Sequence, residues 1–316
     1  MISPTPRRHA RGSKPIWKRI LRRPYLAAMR VAGIGAGIAY VSPVFQALRS
    51  ARLTSAVVPG SLRVATVAHV YYPELWPAIR AAHATLPAGA RLIVTAPARQ
   101  AALLAERAAG DPLVDVVEVP NRGRDIAPFL HLLQSGRLDG LDAVLKIHTK
   151  RSPHLRDGDL RRRLLYAALA GSRKATASIL AQFADPKVGL VGLSWCFRSA
   201  PPYWMANRDR VEALAARMEG RPALGFFEGS MFWVRPSALA PLRALRLETS
   251  DFEEEGGQLD GALHHAVERV FPIAAAAAGF ETRSLGGKTL VAATPPRDAA
   301  LVALAMQAGL ADRACG

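Results

Sequence analysis

Four short apolar runs constrain this chain more than any other feature of it: LRVATVAHV (Leu62–Val70), RLIVT (Arg91–Thr95), VDVVEV (Val114–Val119) and AVLKIH (Ala143–His148). Each is rich in β-branched or other strand-forming residues, and turn-formers such as Pro59-Gly60 and Leu138-Asp139-Gly140 bound them, as expected of buried strands. Stretches of helical length lie between them. Glu74–Thr85 is opened by Pro73, the alanine-rich Ala98–Ala109 is closed by Gly110, and Ile126–Gln134 is entered through the turn Asn121–Gly123. Parallel neighbours need a crossover, which a helix supplies. The alternation therefore predicts an α/β domain: a mostly parallel mixed sheet flanked by helices. Ligands of such sheets bind at the carboxyl ends of the strands, here Thr95, Pro120–Asp125 and His148–Lys150.

Charge divides the chain. The net charge is +17, yet no Asp or Glu occurs from Met1 to Pro73, where twelve Lys and Arg residues lie. That basic stretch predicts an arm for anionic partners: lipid headgroups, nucleic acid or phosphorylated substrates. Arg30 interrupts the apolar segment Pro24–Phe45, and Gly33, Gly35 and Gly37 weaken it as a helix. An amphipathic interfacial segment, with Trp17 and Tyr25 at headgroup level, is expected rather than a spanning helix. Pro43 and the polar stretch Arg49–Ser61 read as a linker. The boundaries that follow are an arm and linker over 1–61, the domain over 62–294, and a tail over 295–316 that carries the helical pattern Leu301–Ala311. The basic residues lack interleaved stacking aromatics, so no nucleic-acid partner is expected. Cys196 and Cys315 have no metal-ligand spacing and cannot make a disulfide framework, which fits a reducing compartment.

Three polar segments carry candidate chemistry. In Asn121-Arg122-Gly123-Arg124-Asp125, Gly123 allows a tight turn, and Arg122 and Arg124 are suited to gripping phosphate. Asp125 either caps the following helix or accepts hydrogen bonds from a sugar or ribose. Lys146, His148 and Lys150 share one strand face, where they call for an anion or an acidic partner. In Glu228–Arg235, a loop entering a strand, Trp233 either stacks on a sugar or packs in the core. Asp260 precedes a helix predicted from Ala262 to Phe271, which carries His264, His265 and Glu268, and is either a base or an N-cap.

Together these segments resemble the rhamnan synthesis protein F family of bacterial polysaccharide assembly. The resemblance is carried by HVYYPELW (His69–Trp76), NRGRDIAPFL (Asn121–Leu130), DAVLKIHTKRS (Asp142–Ser152), FFEGSMFWVRP (Phe226–Pro236) and QLDGALHHAVERVFP (Gln258–Pro272), in that order along about Leu62–Gly279. Arg161-Arg162 stands where a Trp-Arg pair is expected. The resemblance implies a GT-A-like glycosyltransferase that moves a sugar, L-rhamnose from dTDP-rhamnose, onto a lipid-linked or oligosaccharide acceptor at the inner face of the plasma membrane. It implies nucleotide-sugar contacts from Asn121, Arg122, Gly123, Arg124, Asp125, Lys146, His148, Lys150, Trp233 and His264, and catalytic roles for Asp260 and Glu228. The metal-holding Asp-x-Asp of GT-A enzymes is replaced by His148-Thr149-Lys150, so the donor diphosphate is expected to meet cations, with a divalent metal left open. The alternative is a non-catalytic glycan-binding or assembly subunit that keeps the fold.

Overall fold

The computed structural model describes residues 35–53, 56–58, 60–149 and 158–293. The predicted strands are all present: β1 (Val64–His69), β2 (Arg91–Ala96), β3 (Val114–Glu118) and β4 (Ala143–His148). Five further strands complete the set: β5 (Val188–Gly192), β6 (Phe197–Arg198), β7 (Phe226–Phe227), β8 (Phe232–Val234) and β9 (Glu281–Ser284). Seven of them form one sheet in the order β3-β2-β1-β4-β8-β5-β9. All neighbours are parallel except β8, which runs antiparallel to β4 and β5 between them. The short strands β6 and β7 pair separately, Phe197 with Phe227 and Arg198 with Phe226.

Every residue of β1 and β4 is buried, as strands covered on both faces must be. Side-chain alternation sends successive residues into two cores. On one face Val67, Val144 and Phe232 pack against α4 (Ile126–Gln134), α7 (Arg208–Arg217), α8 (Ala240–Ala244) and α9 (Leu263–Ala277). On the other, Ala68, Leu145 and Trp233 meet α2 (Trp76–His83), α3 (Ala98–Arg107), α5 (Gly158–Ala170) and α6 (Arg173–Gln182).

Two elements depart from the sequence reading. The stretch read as a linker contains a helix, α1 (Pro43–Arg52), with Ser42 accepting from the Phe45 N–H at 3.2 Å and Pro43 in the first turn, where it needs no N–H donor. Helix α9 does not stop at Phe271 but continues through Pro272 to Ala277. Burial of Phe271, Ile273, Ala274 and Ala275 outweighs the hydrogen bond that Pro272 cannot make. The arm up to residue 34 and the tail helix Leu301–Ala311 lie outside the described residues.

The turn after β3 depends on Gly123, whose φ is +67° and whose added Cβ would sit 2.6 Å from the Ala127 Cβ and 2.9 Å from the Phe252 ring. Gly110 also has positive φ, at +84°, but with nothing within 4 Å. Gly123→Ala is expected to lower stability by about 3 kcal/mol, combining left-handed strain with overpacking, against about 1 kcal/mol for Gly110→Ala. Urea unfolding of the two variants measures the difference.

Candidate functional site

From β1 the chain winds outward through β2 and β3, then returns to lay β4 on the other side of β1. A crevice opens at such a reversal, outside the carboxyl ends of the strands. His69 closes β1 there, with Thr95 of β2 and His148 of β4 as its register partners. Its Nδ1 lies 3.1 Å from the Thr95 hydroxyl. Just beyond, the Thr149 hydroxyl accepts from the Tyr71 and Tyr72 N–H groups at 2.9 and 3.0 Å, tying the loop after β1 to the end of β4.

Lys146 lies at the centre of this edge, 1% exposed. The predicted shared face of Lys146 and His148 exists, but the charge of Lys146 is met within the protein. Its ammonium donates to Asp125 Oδ2 at 2.6 Å, to the Ser230 carbonyl at 2.8 Å and to the Ser230 hydroxyl at 2.7 Å: three acceptors for three protons. The rings of Phe129, Phe232 and Phe271 surround it at 5.4 to 5.8 Å, near enough for cation–π attraction. Lys146 therefore clamps the loop after β3 to the turn before β8. His148 Nε2 donates to the Gly229 carbonyl at 2.8 Å and lies 3.8 Å from Asp125 Oδ1. Since a carbonyl only accepts, that nitrogen carries a proton.

Asp125 stands at the N-cap position of α4 but makes no side-chain cap hydrogen bond, because its carboxylate turns to Lys146. Burial pushes its carboxyl up, and the His148 and Lys146 charges with the Lys146 hydrogen bond overcome that and hold it far below the ordinary carboxylate range. Burial has the opposite effect on His69, lowering it from 6.5 to about 4 against the pull of Asp125. Arg124 has φ +53° and is committed to the acidic loop: its N–H meets Glu255 Oε1 at 3.1 Å and its guanidinium the Gln258 carbonyl at 2.5 Å. Arg122 keeps a buried Nε with no partner among the described residues. Asn121 lines a cavity of about 330 Å³ with Pro97, Ala98, Glu118, Val119 and Pro120, at the ends of β2 and β3.

The other expected residues are placed differently from one another. Trp233 is fully buried and donates to the Leu169 carbonyl at 3.0 Å, so its ring has no face free for a sugar; the core reading of Trp233 is the one the structure bears out. Glu228 is part-exposed on the strand-end side, where Arg198 Nε meets it at 2.7 Å and Arg161 at 3.8 Å. Asp260 is neither exposed nor a cap of α9. It accepts from the Ala206 N–H at 2.9 Å and the Asn207 amide at 2.6 Å, pinning the turn where Met205 takes φ +50°. His264 is buried with neither ring nitrogen hydrogen-bonded among the described residues, its ring centroid 4.1 Å from that of His265. Lys150 lies outside the described residues. Arg162, of the divergent Arg161-Arg162 pair, is buried against the Tyr166 ring and bonds Asp159.

Ser230, Arg198 and His69 were not singled out from sequence as site residues. Only His69 had a readable signal, its position next to the end of the predicted strand Leu62–Val70. Among the described residues, no three His, Cys, Asp or Glu side chains converge as a metal site would need.

Fold and candidate site thus define an α/β protein with a charged edge at a strand-order reversal, wired by a buried lysine. The chain belongs to the rhamnan synthesis protein F family, whose pattern matches residues 42–280. Two proteins from strains of Xanthomonas campestris pv. campestris, described as uncharacterized protein WxcX, are 36% identical to it over 178 residues. That alignment covers 55% of this chain and 26% of each relative, so the chain spans about a quarter of their length.

Lys146→Met would leave the buried Asp125 carboxylate without its hydrogen-bonded ammonium, and is expected to cost about 3–5 kcal/mol in stability. The double variant Asp125→Asn/Lys146→Met should recover much of that loss, which chemical unfolding of the cycle checks. Acid should also destabilise the protein in two stages. His69 protonates in the unfolded chain near pH 6.5 but in the folded one only near 4, so its contribution is full above 6.5 and drains as pH falls to 4. His265, lowered to about 3 by burial and by His264, adds to the same loss. Asp125 adds its share below its ordinary value of 3.8. His69→Gln should flatten the upper stage in a series of melting curves.

Proposed function

We propose that the chain is a GT-A-like glycosyltransferase that moves L-rhamnose from dTDP-rhamnose onto a lipid-linked glycan of the bacterial surface. The observation that carries this reading is the convergence of His69, Asp125, Lys146, His148 and the Glu228–Ser230 turn at the carboxyl ends of β1 and β4. In this reading the cavity at the ends of β2 and β3 takes the nucleoside. The unpartnered Arg122 Nε, with Lys150, serves the diphosphate. His264, buried with both ring nitrogens free of hydrogen bonds among the described residues, is held ready for a polar ligand group at the start of α9. Lys146 and Asp125 hold the phosphate-side loop in shape instead of touching the donor.

The acceptor hydroxyl oxygen attacks the anomeric carbon as the bond from that carbon to the diphosphate oxygen breaks. The nucleoside diphosphate leaves with the electron pair, and the acceptor proton goes to a carboxylate. Of the two carboxylates expected to act, Glu228 fits this role better, being part-exposed and next to Gly229, whose carbonyl holds His148. Asp260 then acts by shaping the Met205 turn. Helix α1 supports a place at an anionic membrane surface: Val44, Phe45 and Leu48 are exposed on a helix whose last residue is Arg52. No helix among the described residues is long and apolar enough to cross a membrane.

A non-catalytic glycan-binding subunit is the second reading, favoured by the mutual neutralisation of Asp125 and Lys146. Calorimetry with dTDP-rhamnose, with and without Mg²⁺, together with a rhamnosyl-transfer assay, separates the two. The transferase reading expects dTDP-rhamnose binding that Lys150→Ala weakens. It also expects Glu228→Gln to cut turnover about 10²–10⁴-fold with that binding kept. Absence of nucleotide-sugar binding under every metal condition would leave the subunit reading.

A further inference from the structure

We propose that Trp195, with the Arg198–Glu228 pair beside it, forms a sugar-stacking subsite for the glycan acceptor; the proposal rests on the transferase reading. Trp195 is 59% exposed, whereas Trp76, Trp204 and Trp233 are 8%, 1% and 0% exposed. A large indole in water is unfavourable on its own account, and here it stands at a defined place. It sits in the 3-10 turn Ser194–Cys196 that follows β5. Since β8 is antiparallel to both β4 and β5, β5 runs parallel to β4. The turn after β5 therefore opens on the same edge of the sheet as His148, His69 and the loop Asn121–Asp125.

The turn is also fixed in position. Arg198 Nη1 donates to the Trp195 carbonyl at 3.2 Å, and the Glu228 N–H donates to the Cys196 carbonyl at 2.8 Å. The Arg198 guanidinium in turn meets Glu228 Oε2 through Nε at 2.7 Å and lies 5.1 Å from the Tyr203 ring. An exposed indole on a turn whose backbone is held by an arginine–glutamate pair offers the chemistry a sugar ring requires. Its apolar C–H face covers the indole while its hydroxyls exchange hydrogen bonds with the charged pair.

Position selects a glycan over a nucleobase, which could also stack on an indole. The cavity at the ends of β2 and β3 lies on the far side of β1 and β4 from β5. From β1 to β5 is three strand spacings, roughly 14 Å. A donor nucleoside in that cavity leaves the β5 side of the crevice to the acceptor. The link from Trp195 to the centre is short in chain terms: Glu228, whose N–H holds this turn, precedes Gly229, whose carbonyl accepts the hydrogen bond from His148.

The test titrates the full chain with a short rhamnose oligosaccharide, following tryptophan fluorescence, and in parallel with dTDP-rhamnose by calorimetry. Wild type, Trp195→Ala and Trp195→Phe are compared, with circular dichroism and melting as folding controls. The expected result is an oligosaccharide-induced fluorescence change in the wild type, affinity about tenfold weaker in Trp195→Ala and within about threefold in Trp195→Phe, and the same dTDP-rhamnose affinity in all three. Unchanged oligosaccharide affinity in folded Trp195→Ala overturns the proposal. So does a wild type that binds dTDP-rhamnose but no oligosaccharide, or a folded Trp195→Ala that loses dTDP-rhamnose as well. If the wild type binds neither ligand, the transferase reading itself has failed. Should Trp195→Ala not fold, Trp195→Phe decides between the outcomes by its oligosaccharide affinity relative to wild type.

Discussion

One buried ammonium organises this molecule. Desolvating a lysine is strongly unfavourable unless each proton finds an acceptor, and Lys146 finds three from two different loops. Those acceptors are not local to β4: Asp125 comes from the loop after β3 and Ser230 from the turn before β8. Satisfying the charge therefore fixes the relation between two segments far apart in sequence. Ser230 takes φ +52° and the neighbouring Gly229 φ +92°, an uncommon pair of backbone conformations held in place by this bonding. The three phenylalanine rings around the ammonium exclude water, which strengthens each of the three bonds.

The parallel half of the fold was legible because its signals are local. A β-branched run between turn-formers marks a strand wherever it stands, so β1 to β4 fell close to the predicted positions and α4 spans Ile126–Gln134 as read. Helix α1 was missed because Pro43 and the polar stretch Arg49–Ser61 resemble a linker, when Ser42 and Pro43 are also a cap and a first-turn residue. The end of α9 was misplaced because a proline's cost is visible in sequence while the burial that offsets it is not. β5, β9 and the two-residue strands β6 and β7 went unassigned. Short segments of that kind owe their geometry to neighbours, not to their own composition.

The site was legible in its residue types but not in its wiring. Sequence brought Asp125, Lys146 and His148 to one edge, yet it could not reveal that Lys146 answers Asp125 and Ser230. A lysine facing an anion and a lysine facing a carboxylate look the same along a strand. Asp260 illustrates the same limit: an aspartate before a helix can be a base, a cap or, as here, a pin for the Ala206–Asn207 backbone and amide. Tryptophan needs a different kind of information again. Trp233 alternates with its strand neighbours and falls on the covered face, whereas Trp195 lies in a turn where no periodicity decides its exposure.

The antiparallel strand explains why the site takes residues from places that a purely parallel reading would pass over. In a parallel sheet the ligand edge is supplied by residues that follow each strand, as Asn121–Asp125 follow β3 and Thr149 follows β4. β8 runs the other way, so the segment that precedes it reaches that edge instead. Glu228, Gly229 and Ser230 are thereby delivered beside the carboxyl ends of β4 and β5, and the pairing of β6 with β7 carries Arg198 to the same place. A sheet with β8 reversed would put this turn at the opposite edge and leave Lys146 with Asp125 alone. The strand of opposite direction is therefore what allows the lysine clamp to exist.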